Sequence, residues 1–547
     1  MGISAHVDTF ARDGLPPRDL RPELLFDLPE LQYPAQLNCA TELLDRAIER
    51  GDAERTAIYA PAGDGRSLLT YGQLCSLANQ VAHVLCDELR LVPGNRVLLR
   101  SPNNAMLAAC VFAVWKAGGI AVPTMPQLRS RELRQVIDKA RIDFALCDER
   151  LKDELDTAGV QSGDLKRIVS FGANDANSLE VLLAAKPVEF DDVRTAADDV
   201  ALLAFTSGAR GMPKAALHFH RSVMAMCDCW PRSILKPRRD DIFCGTPTLA
   251  SGYGLGVMLC IPLRFGASTV LVENLTPAGL LQTIQDFRCT FSATVPAFYR
   301  QMAPLVRQFD LGSLRTAISS GEVLADATRT LFREASGIEL IDGLGSTGMM
   351  QIFVSHTPDR VRRGATGYVI PGYKAVVLDD EGRVCPPNVT GRLAVKGPTG
   401  CLYLADSRQT QSVQRGWNLT GDACSVDLDG YFYFQGRSDD LIASAGQDIS
   451  GPEVEAALLG HEAVADCGVI GIPDQLRGQL VSAFVVLNSG FRASPQMVTA
   501  LQDHVKARIA PYKYPRRIEF VAALPRTETG RLQRVSLLDL TSRSARD

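Results

Sequence analysis

Short β-rich runs alternate with longer helical patterns between about residue 95 and residue 295, and this alternation constrains the fold more than any other feature of the chain. The apolar segment Ala105 to Ala117, for example, is a helix candidate that follows one such run. The runs are Arg96 to Arg100, Phe144 to Cys147, Ile168 to Phe171, Ala201 to Phe205, Thr269 to Val272 and Phe291 to Val295. Strands that alternate with helices in this way predict parallel α/β layers.

Two later regions differ from this alternating part. From Gly364 to Val395 short strands are punctuated by Gly, Pro and an Asp-Asp-Glu-Gly turn, which favours a small β-barrel-like module of mainly antiparallel strands. After the segment GRSDD, helices at Pro452 to Leu459 and Pro495 to Ile509 alternate with strands and predict a compact α+β unit. A chain of 547 residues is too long for one core. We therefore predict a large α/β domain, residues 1–437, of layered parallel subdomains plus the β module, followed by a small mobile α+β domain, residues 438–547.

Charge and hydropathy disfavour several kinds of partner. With 58 basic and 62 acidic residues the formal net charge is −4, which indicates neither a nucleic-acid footprint nor a polybasic membrane anchor. No apolar run reaches the roughly 20 residues that cross a bilayer, and the N-terminal segment lacks the apolar stretch of a signal peptide. The 14 cysteines include no CxxC pair, so reduced thiols are expected rather than a disulfide scaffold or a metal site. The prediction is a cytoplasmic protein that binds neither nucleic acid nor membrane.

The segment TSGARGMPK, Thr206 to Lys214, has the composition of a phosphate-binding loop. Small residues let backbone N–H groups approach an anion closely, and Lys214 adds a positive charge. The spacing from Gly208 does not fit GxxxxGK[ST], so a P-loop NTPase is disfavoured. A simple Gly/Ser turn is the alternative that this segment leaves open when it is taken by itself.

The same segment resembles the TSGTTGxPK loop of the adenylate-forming enzymes, the acyl-CoA and aryl-CoA ligases. Further stretches resemble that family in order along nearly the whole chain. The N-terminal DTFARDGLPP and LLFDLPELQYPAQLN are most similar to benzoate-type ligases, in particular 2-aminobenzoate:CoA ligases. These stretches are LASGYGLG (Leu249 to Gly256), SSGEVL (Ser319 to Leu324), DGLGSTG (Asp342 to Gly348), GWNLTGDA (Gly416 to Ala423), GRSDD (Gly436 to Asp440) and PRTETGRLQR (Pro525 to Arg534).

The resemblance implies roles for individual residues. Nucleotide or CoA contacts are implied for Thr206, Ser207, Gly208, Lys214, Gly321, Glu322, Asp342, Gly343, Thr347, Asp422, Arg437 and Gly446, with Asp422 as the ribose-binding carboxylate. An aromatic acyl pocket is implied for Tyr253, Gly254, Leu344 and Gly345. Catalytic roles are implied for Arg531, at the position of the adenylation lysine, and for Asp439 at the hinge. His218 follows the loop and is a candidate base because of its own chemistry.

Simpler structural roles remain open for some of these residues. Tyr253 is either a core residue or one wall of a flat aryl pocket, for which the small Gly252 and Gly254 leave room. His218 or His220 is either a base or a structural histidine, since neither has a visible carboxylate partner. The absence of a GxSxG elbow disfavours a serine acyl-enzyme, and no cysteine stands out as a nucleophile.

The chain departs from the family pattern at three places that concern ATP. Ala209 and Arg210 replace two threonines, Gly348 replaces an acidic residue linked to Mg²⁺, and Arg531 replaces the adenylation lysine. The loss of one preorganised donor to a developing oxyanion costs roughly 3–4 kcal/mol, about 10²–10³ in rate. Arg531 keeps a positive charge, but its planar fork is not equivalent to a compact ammonium. In contrast, SAGQDISGPE (Ser444 to Glu453) still resembles the loop that faces the pantetheine tunnel.

This asymmetry leads to a main hypothesis and two alternatives. The main hypothesis is an acyltransferase that moves an aromatic acyl group, 2-aminobenzoyl by resemblance, from a coenzyme A thioester to another pantetheine thiol such as that of an acyl carrier protein. The first alternative is an ATP- and Mg²⁺-dependent aryl-CoA ligase. The second is a non-catalytic protein that binds aryl-CoA or a nucleotide.

Overall fold

A computed structural model of the chain describes residues 3–62, 65–173, 177–206, 213–444, 447–474, 477–526 and 532–538. Within these residues the strands form three sheets, of six, fourteen and five strands. The helices pack against these sheets, so the predicted α/β class is confirmed. None of the described helices is both long and apolar enough to cross a membrane.

The six-stranded sheet contains the strand that leads into the phosphate-like loop. Five neighbouring strands are parallel, and the sixth, Lys214–Phe219, runs antiparallel to Val200–Thr206 with Thr206 opposite Lys214. In spatial order the strands are Arg167–Phe171, Phe144–Asp148, Arg96–Arg100, Ile120–Thr124, Val200–Thr206 and Lys214–Phe219. The hairpin places Thr206 and Lys214, which flank residues 207–212 in sequence, side by side at the edge of this sheet.

Helices cover the six-stranded sheet, and the sequence explains where the central one begins and why it is buried. Helix Ala105–Lys116 begins where the Asn104 side chain accepts the Leu107 N–H, an N-cap that satisfies a terminal donor. Nearly every side chain of this helix is buried, including Phe112 and Trp115, because it lies in the middle of the core. Other helices of this part are Tyr71–His83, Ser130–Ala140, Lys152–Ser162 and Leu179–Leu183.

The fourteen-stranded sheet has a parallel centre and an antiparallel outer part. In the centre, Phe291–Thr294, Thr316–Ser320 and Leu340–Gly345 are neighbours and parallel. The remaining strands are Thr56–Ala62, Gly65–Thr70, Ile242–Gly245, Ser268–Val270, Ile352–Ser355, Gly367–Val369, Lys374–Leu378, Gly391–Lys396, Val413–Gln414, Trp417–Val426 and Tyr431–Arg437. The antiparallel strands predicted as a separate β module therefore continue this sheet.

Short helices surround the carboxyl ends of the central strands. They include Gly252–Leu255, which follows strand Ile242–Gly245, and Pro296–Met302, which follows Phe291–Thr294. The other helices of the N-terminal part are Phe10–Asp13, Arg46–Glu49, His220–Asp228, Ile261–Arg264, Pro277–Phe287, Asp326–Ser336 and Gln409–Ser412. Because parallel strands end at the same edge, residues far apart in sequence meet there.

The described residues between 442 and 538 contain a five-stranded sheet and the helices that pack on it, and they are called the C-terminal unit below. Its strands are Ile442–Ser444, Gln447–Ile449, Val464–Asp474, Gly478–Leu487 and Arg517–Phe520, and its helices include Gly451–Leu459 and Pro495–Arg508. Residues 534–538 are also helical. Val454, Val469 and Leu501 are fully or almost fully buried in a core made of this unit's own residues. The predicted domain boundary after residue 437 fits this organisation but stays a prediction.

Candidate active site

Two predicted nucleotide segments meet at the carboxyl edge of the parallel centre. Strand Thr316–Ser320 leads into Gly321 and Glu322, and its neighbour Leu340–Gly345 carries Asp342. Ser319 lies opposite Asp342 and Ser320 opposite Gly343. Gly321 has a φ of +90°, a conformation that glycine adopts without strain, and this lets the chain turn at the edge of the sheet. The structure therefore brings SSGEVL and DGLGSTG together.

Asp342 is a buried carboxyl group rather than an exposed one. Its Oδ1 accepts the Gly343 N–H at 2.9 Å, and its own N–H donates to His356 at 3.1 Å. Burial raises the pKa of Asp342 to about 7, although the nearby Arg329 guanidinium acts in the opposite direction. Near neutral pH this side chain is therefore a mixture of acid and carboxylate, and it stabilises the strand end through the backbone.

His218 lies between the six-stranded sheet and the turn after Leu340–Gly345. It is 1% exposed, and its Nε2 lies 2.9 Å from the Thr347 carbonyl oxygen. Because a carbonyl oxygen can only accept, Nε2 carries the hydrogen and donates it. Burial lowers the pKa of His218 to about 4, so the ring is neutral at pH 7. In the described structure His218 thus fixes the turn that contains Thr347.

Tyr253 and Gly254 belong to the short helix Gly252–Leu255, beside the same turn. The Ser251 side chain accepts the Gly254 N–H at 3.0 Å and begins the helix. A Cβ on Gly252 would lie 3.5 Å from the Met350 carbonyl oxygen, which places the turn over this helix. Leu344 and Gly345, the other predicted pocket residues, end the strand that leads into that turn.

The ring of Tyr253 is partly exposed, whereas its hydroxyl is buried. The hydroxyl lies near Ser320 and makes no hydrogen bond of standard geometry within the described residues. Burial raises the pKa of the phenol, so Tyr253 is neutral at ordinary pH. Tyr253 packs against the main core and has a glycine on each side, and its role as one wall of an aryl pocket stays a prediction.

Asp422 and Arg437 are directly opposite each other on neighbouring antiparallel strands. Arg437 Nη1 donates to Asp422 Oδ1 at 2.7 Å and to the Thr420 carbonyl at 2.8 Å. Asp422 is 4% exposed, so its charge is buried but paired. The predicted ribose-binding carboxylate is therefore held in a fixed orientation.

Lys214 and Gly348 lie at the side of the site where phosphate groups were predicted. The Lys214 ammonium lies 4.6 Å from the centre of the Tyr403 ring, a cation–π contact, and burial lowers its pKa. A Cβ on Gly348 would lie 3.2 Å from both Cβ and Sγ of Cys401. Cys401 therefore lies against the position where the family has an acidic side chain.

The described residues offer polar groups for a nucleoside but not a preformed magnesium site. Mg²⁺ bound with nucleotide phosphates takes one or two protein carboxylates, and residue 348 has no side chain to supply one. No group of three or more His, Cys, Asp or Glu side chains in the described part of the chain is arranged to hold a metal ion.

Glu322 contacts the C-terminal unit. Its Oε1 accepts hydrogen bonds from Arg526 and from the Leu532 N–H. Several other predicted residues lie outside the described residues: Ser207, Gly208, Ala209, Arg210, Gly446, Arg531 and the side chain of Asp439. Their proposed roles stay predictions, as does the catalytic role of His218.

Sequence reasoning did not identify Cys401, Tyr403 or Arg526 as residues of this site. Cys401 and Tyr403 lie outside every segment that resembles the family, and their proximity to Gly348 and Lys214 follows only from the fold. Burial raises the pKa of Cys401 to about 11, so at neutral pH it is a thiol rather than a nucleophilic thiolate. Arg526 lies within the segment PRTETGRLQR, and its charge in that segment is the one sequence signal that points to it.

Comparisons with known proteins agree with this arrangement. Residues 44–402 match the family described as AMP-binding enzyme, and residues 453–531 match the AMP-binding enzyme C-terminal domain. A benzoate–CoA ligase of Thauera aromatica is 31% identical over 93% of this chain and 97% of its own. The crystal structure of the anthranilate CoA ligase AuaEII in complex with anthranoyl-AMP is similar, with 30% identity, a TM-score of 0.90, and coverage of 95% of this chain and 100% of that one. The structure of a benzoate CoA ligase from Burkholderia xenovorans LB400 is also similar, with 28% identity and a TM-score of 0.84. The match covers 92% of this chain and 99% of that one.

Proposed function

The chain belongs to the AMP-binding enzyme family, and we propose that it transfers an aromatic acyl group from a coenzyme A thioester to a second pantetheine thiol without using ATP. The observation that carries the proposal is Gly348. A side chain that would supply a magnesium ligand is missing there, and Cys401 lies beside the vacant position. The replacement of family residues by Ala209, Arg210 and Arg531 also favours a reaction that does not use ATP.

Thioester exchange asks little of the protein beyond positioning. The sulfur of the acceptor thiol attacks the acyl carbon, the bond from that carbon to the CoA sulfur breaks, and the proton lost by the acceptor is gained by the CoA thiolate. One thioester replaces another, so no ATP is needed. Tyr253 would orient the aryl ring between Gly252 and the turn at Thr347, and the site would hold the two sulfurs within reach. The printed names of the relatives support benzoate or 2-aminobenzoate as the acyl group.

An ATP-dependent aryl-CoA ligase is the second candidate, and the comparisons favour it over the transferase because the relatives are named as ligases. The charged residues Glu322, Asp422 and Lys214 also remain at their family positions. On this proposal ATP would be a substrate that binds with Mg²⁺, and Arg531 would replace the adenylation lysine. The two candidates share the aryl pocket and differ at the phosphate side of the site.

One experiment separates the candidates. The protein is incubated with a phosphopantetheinyl carrier protein and 2-aminobenzoyl-CoA without ATP, and in parallel with 2-aminobenzoate, ATP, Mg²⁺ and CoA. The matched control is the same carrier without its pantetheine arm, and intact-protein mass spectrometry reads the acyl mass. We expect an acylated carrier in the first reaction and no aryl-CoA in the second. Aryl-CoA formed only from free acid and ATP would overturn the proposal in favour of the ligase, and aryl-CoA binding without turnover would make the protein a binding protein.

We expect His218 to act on this reaction through the turn and not as a base. Loss of the bond to the Thr347 carbonyl in His218→Ala should lower kcat/KM about tenfold, since one buried hydrogen bond contributes about 1.4 kcal/mol. His218→Gln keeps an N–H donor and should stay within about threefold of the parent. Because the pKa of His218 is about 4, the kcat/KM profile of the parent should show no histidine limb between about pH 6 and 8. An alkaline-rising limb that both variants abolish would instead indicate a base.

A further inference from the structure

A carboxylate of the N-terminal part, that of Glu322, accepts two hydrogen bonds from the C-terminal unit. Glu322 Oε1 accepts hydrogen bonds from Arg526 Nη1 at 2.7 Å and from the Leu532 N–H at 2.6 Å. The second terminal nitrogen of Arg526, Nη2, donates to both carboxylate oxygens of Asp466, at 2.9 and 2.8 Å. Asp466 belongs to the C-terminal unit itself. Arg526 therefore bridges two carboxylates: Glu322, at the edge of the fourteen-stranded sheet, and Asp466, in the C-terminal unit.

The two residues that bind Glu322 are also paired with each other. Arg526 and Leu532 form an antiparallel bridge, and the Gln533 N–H donates to the Pro525 carbonyl at 2.9 Å. Arg526 and Leu532, which flank residues 527–531 in sequence, are thus paired with each other. Both donate to the same oxygen, Glu322 Oε1. Any shift of Arg526 away from Glu322 would move Leu532 with it.

The surroundings make this contact stronger than a surface ion pair. The Arg526 and Glu322 side chains are only 20% and 16% exposed, and bonds between charged groups are roughly twice as strong as neutral ones. Burial raises the pKa of Glu322, while Arg526 and the Leu532 N–H act in the opposite direction. If Arg526 were removed, Glu322 would be left as a partly buried charge with one donor fewer.

A second arginine makes an attachment of a different kind. Arg300, on helix Pro296–Met302, donates to the carbonyls of Ala465 at 2.9 Å, Val464 at 2.7 Å and Leu459 at 3.2 Å. Leu459 is the last residue of helix Gly451–Leu459, where carbonyls lack intrahelical donors and attract cations. This contact uses backbone acceptors, so it does not depend on any carboxylate of the C-terminal unit.

We propose that Glu322 and Arg526 form a latch that holds the C-terminal unit on the edge of the large sheet. In this latch Arg526 is a positioning residue, because it pairs with Leu532 and both donate to Glu322. Glu322, expected from the resemblance to contact a nucleotide, has this second role within the chain. The inference does not depend on the proposed acyl transfer, since it concerns the posture of the protein without substrate.

The Leu532 amide reports directly on the latch, because its N–H donates to Glu322. We would measure hydrogen exchange by mass spectrometry, with fragmentation that isolates Leu532, in the parent, Arg526→Ala, Arg526→Lys and Arg534→Ala. Arg534 is the matched control: it pairs with Glu455 inside the C-terminal unit at 2.6 Å, with comparable exposures of 25% and 14%. Peptides from helix Ala105–Lys116 check that each variant is folded.

Arg526→Ala should accelerate exchange at Leu532 at least about tenfold, which corresponds to about 1.4 kcal/mol. Arg526→Lys should give an intermediate rate, because a lysine reaches one carboxylate but does not bridge two with a rigid fork. Arg534→Ala should stay within about twofold of the parent. The latch is wrong if exchange at Leu532 in Arg526→Ala is unchanged, or if Arg534→Ala accelerates it equally. Neither result would bear on the carrier-acylation experiment.

Discussion

Replacement of Gly254 by alanine should lower turnover of an aryl-CoA substrate at least about 100-fold. A Cβ at this position would lie 2.0 Å from the Thr248 carbonyl oxygen and 2.6 Å from its carbon. These are backbone atoms, so the clash is not relieved by a side-chain rotation, and the segment from Thr248 to Gly254 must move. A displacement of about 1 Å at a positioning element can cost about 10²-fold in rate, and Tyr253 is adjacent to the substitution.

Gly252→Ala is the matched control for this prediction. It adds the same methyl group to the same helix, but the nearest atom would be the Met350 carbonyl oxygen at 3.5 Å, an ordinary van der Waals contact. We expect this variant to keep its thermal midpoint. Its effect should be selective, because a methyl at Gly252 narrows the space beside Tyr253 and should raise KM most for acyl groups with ring substituents.

The measurement is kcat and KM for 2-aminobenzoyl-CoA in both variants, together with the thermal midpoint. Gly254→Ala should lose activity even if part of its stability remains, since overpacking of this kind commonly costs about 1–3 kcal/mol. Activity equal to that of the parent in both variants would mean that the helix Gly252–Leu255 does not border the acyl pocket. Loss of activity in both variants, with unchanged folding, would mean that the acyl group lies directly against Gly252.

Local patterns in the sequence predicted the elements well, since periodicity and turn residues act over short distances. Strand Arg96–Arg100 has the predicted bounds, and helix Gly451–Leu459 begins one residue before the predicted Pro452. Strand Gly478–Leu487 begins before Val481, where its β-rich run predicts it to start, because its first residues form a hairpin with the end of Val464–Asp474, in which Gly478 lies opposite Asp474. Propensity in a single segment does not contain that information.

The site was less accessible to sequence reasoning because its contacts join remote segments. Arg526 and Glu322 are 204 positions apart, and no periodicity connects them. Cys401 belongs to the site only because the fold places it against Gly348. Gly348 and Arg531, in contrast, stand out only as departures from the family pattern. Composition alone does not distinguish these two residues.

Restoration of the family residues should create or increase adenylation. In the triple variant Ala209→Thr, Gly348→Glu and Arg531→Lys, we expect 2-aminobenzoate-dependent exchange between ATP and pyrophosphate at least about 100-fold above the parent, because one restored donor or cation can contribute about 10²–10³. The three gains should not simply multiply, since groups that act as a unit are not additive.

The structure indicates why Gly348→Glu needs help from its neighbour. The new Cβ would lie 3.2 Å from both Cβ and Sγ of Cys401, so either Cys401 or the turn must yield by a few tenths of an ångström. Cys401→Ala removes one of the two close atoms, and the quadruple variant should therefore exceed the triple variant in exchange rate. Cys401→Ala alone is the matched control and should leave the parent without exchange activity, because it adds no group that binds phosphate or metal.

Asp422→Asn in the quadruple background tests whether the new activity arises at this site. Asp422 is held by Arg437 at 2.7 Å as the candidate ribose contact, so loss of its charge should lower the gained exchange by about tenfold or more, as for a hydrogen bond to a charged group. A folded quadruple variant without exchange would show that these departures do not define the chemistry. Strong exchange already present in the parent would show that Gly348 and Arg531 are compatible with adenylation, and would make the chain a ligase.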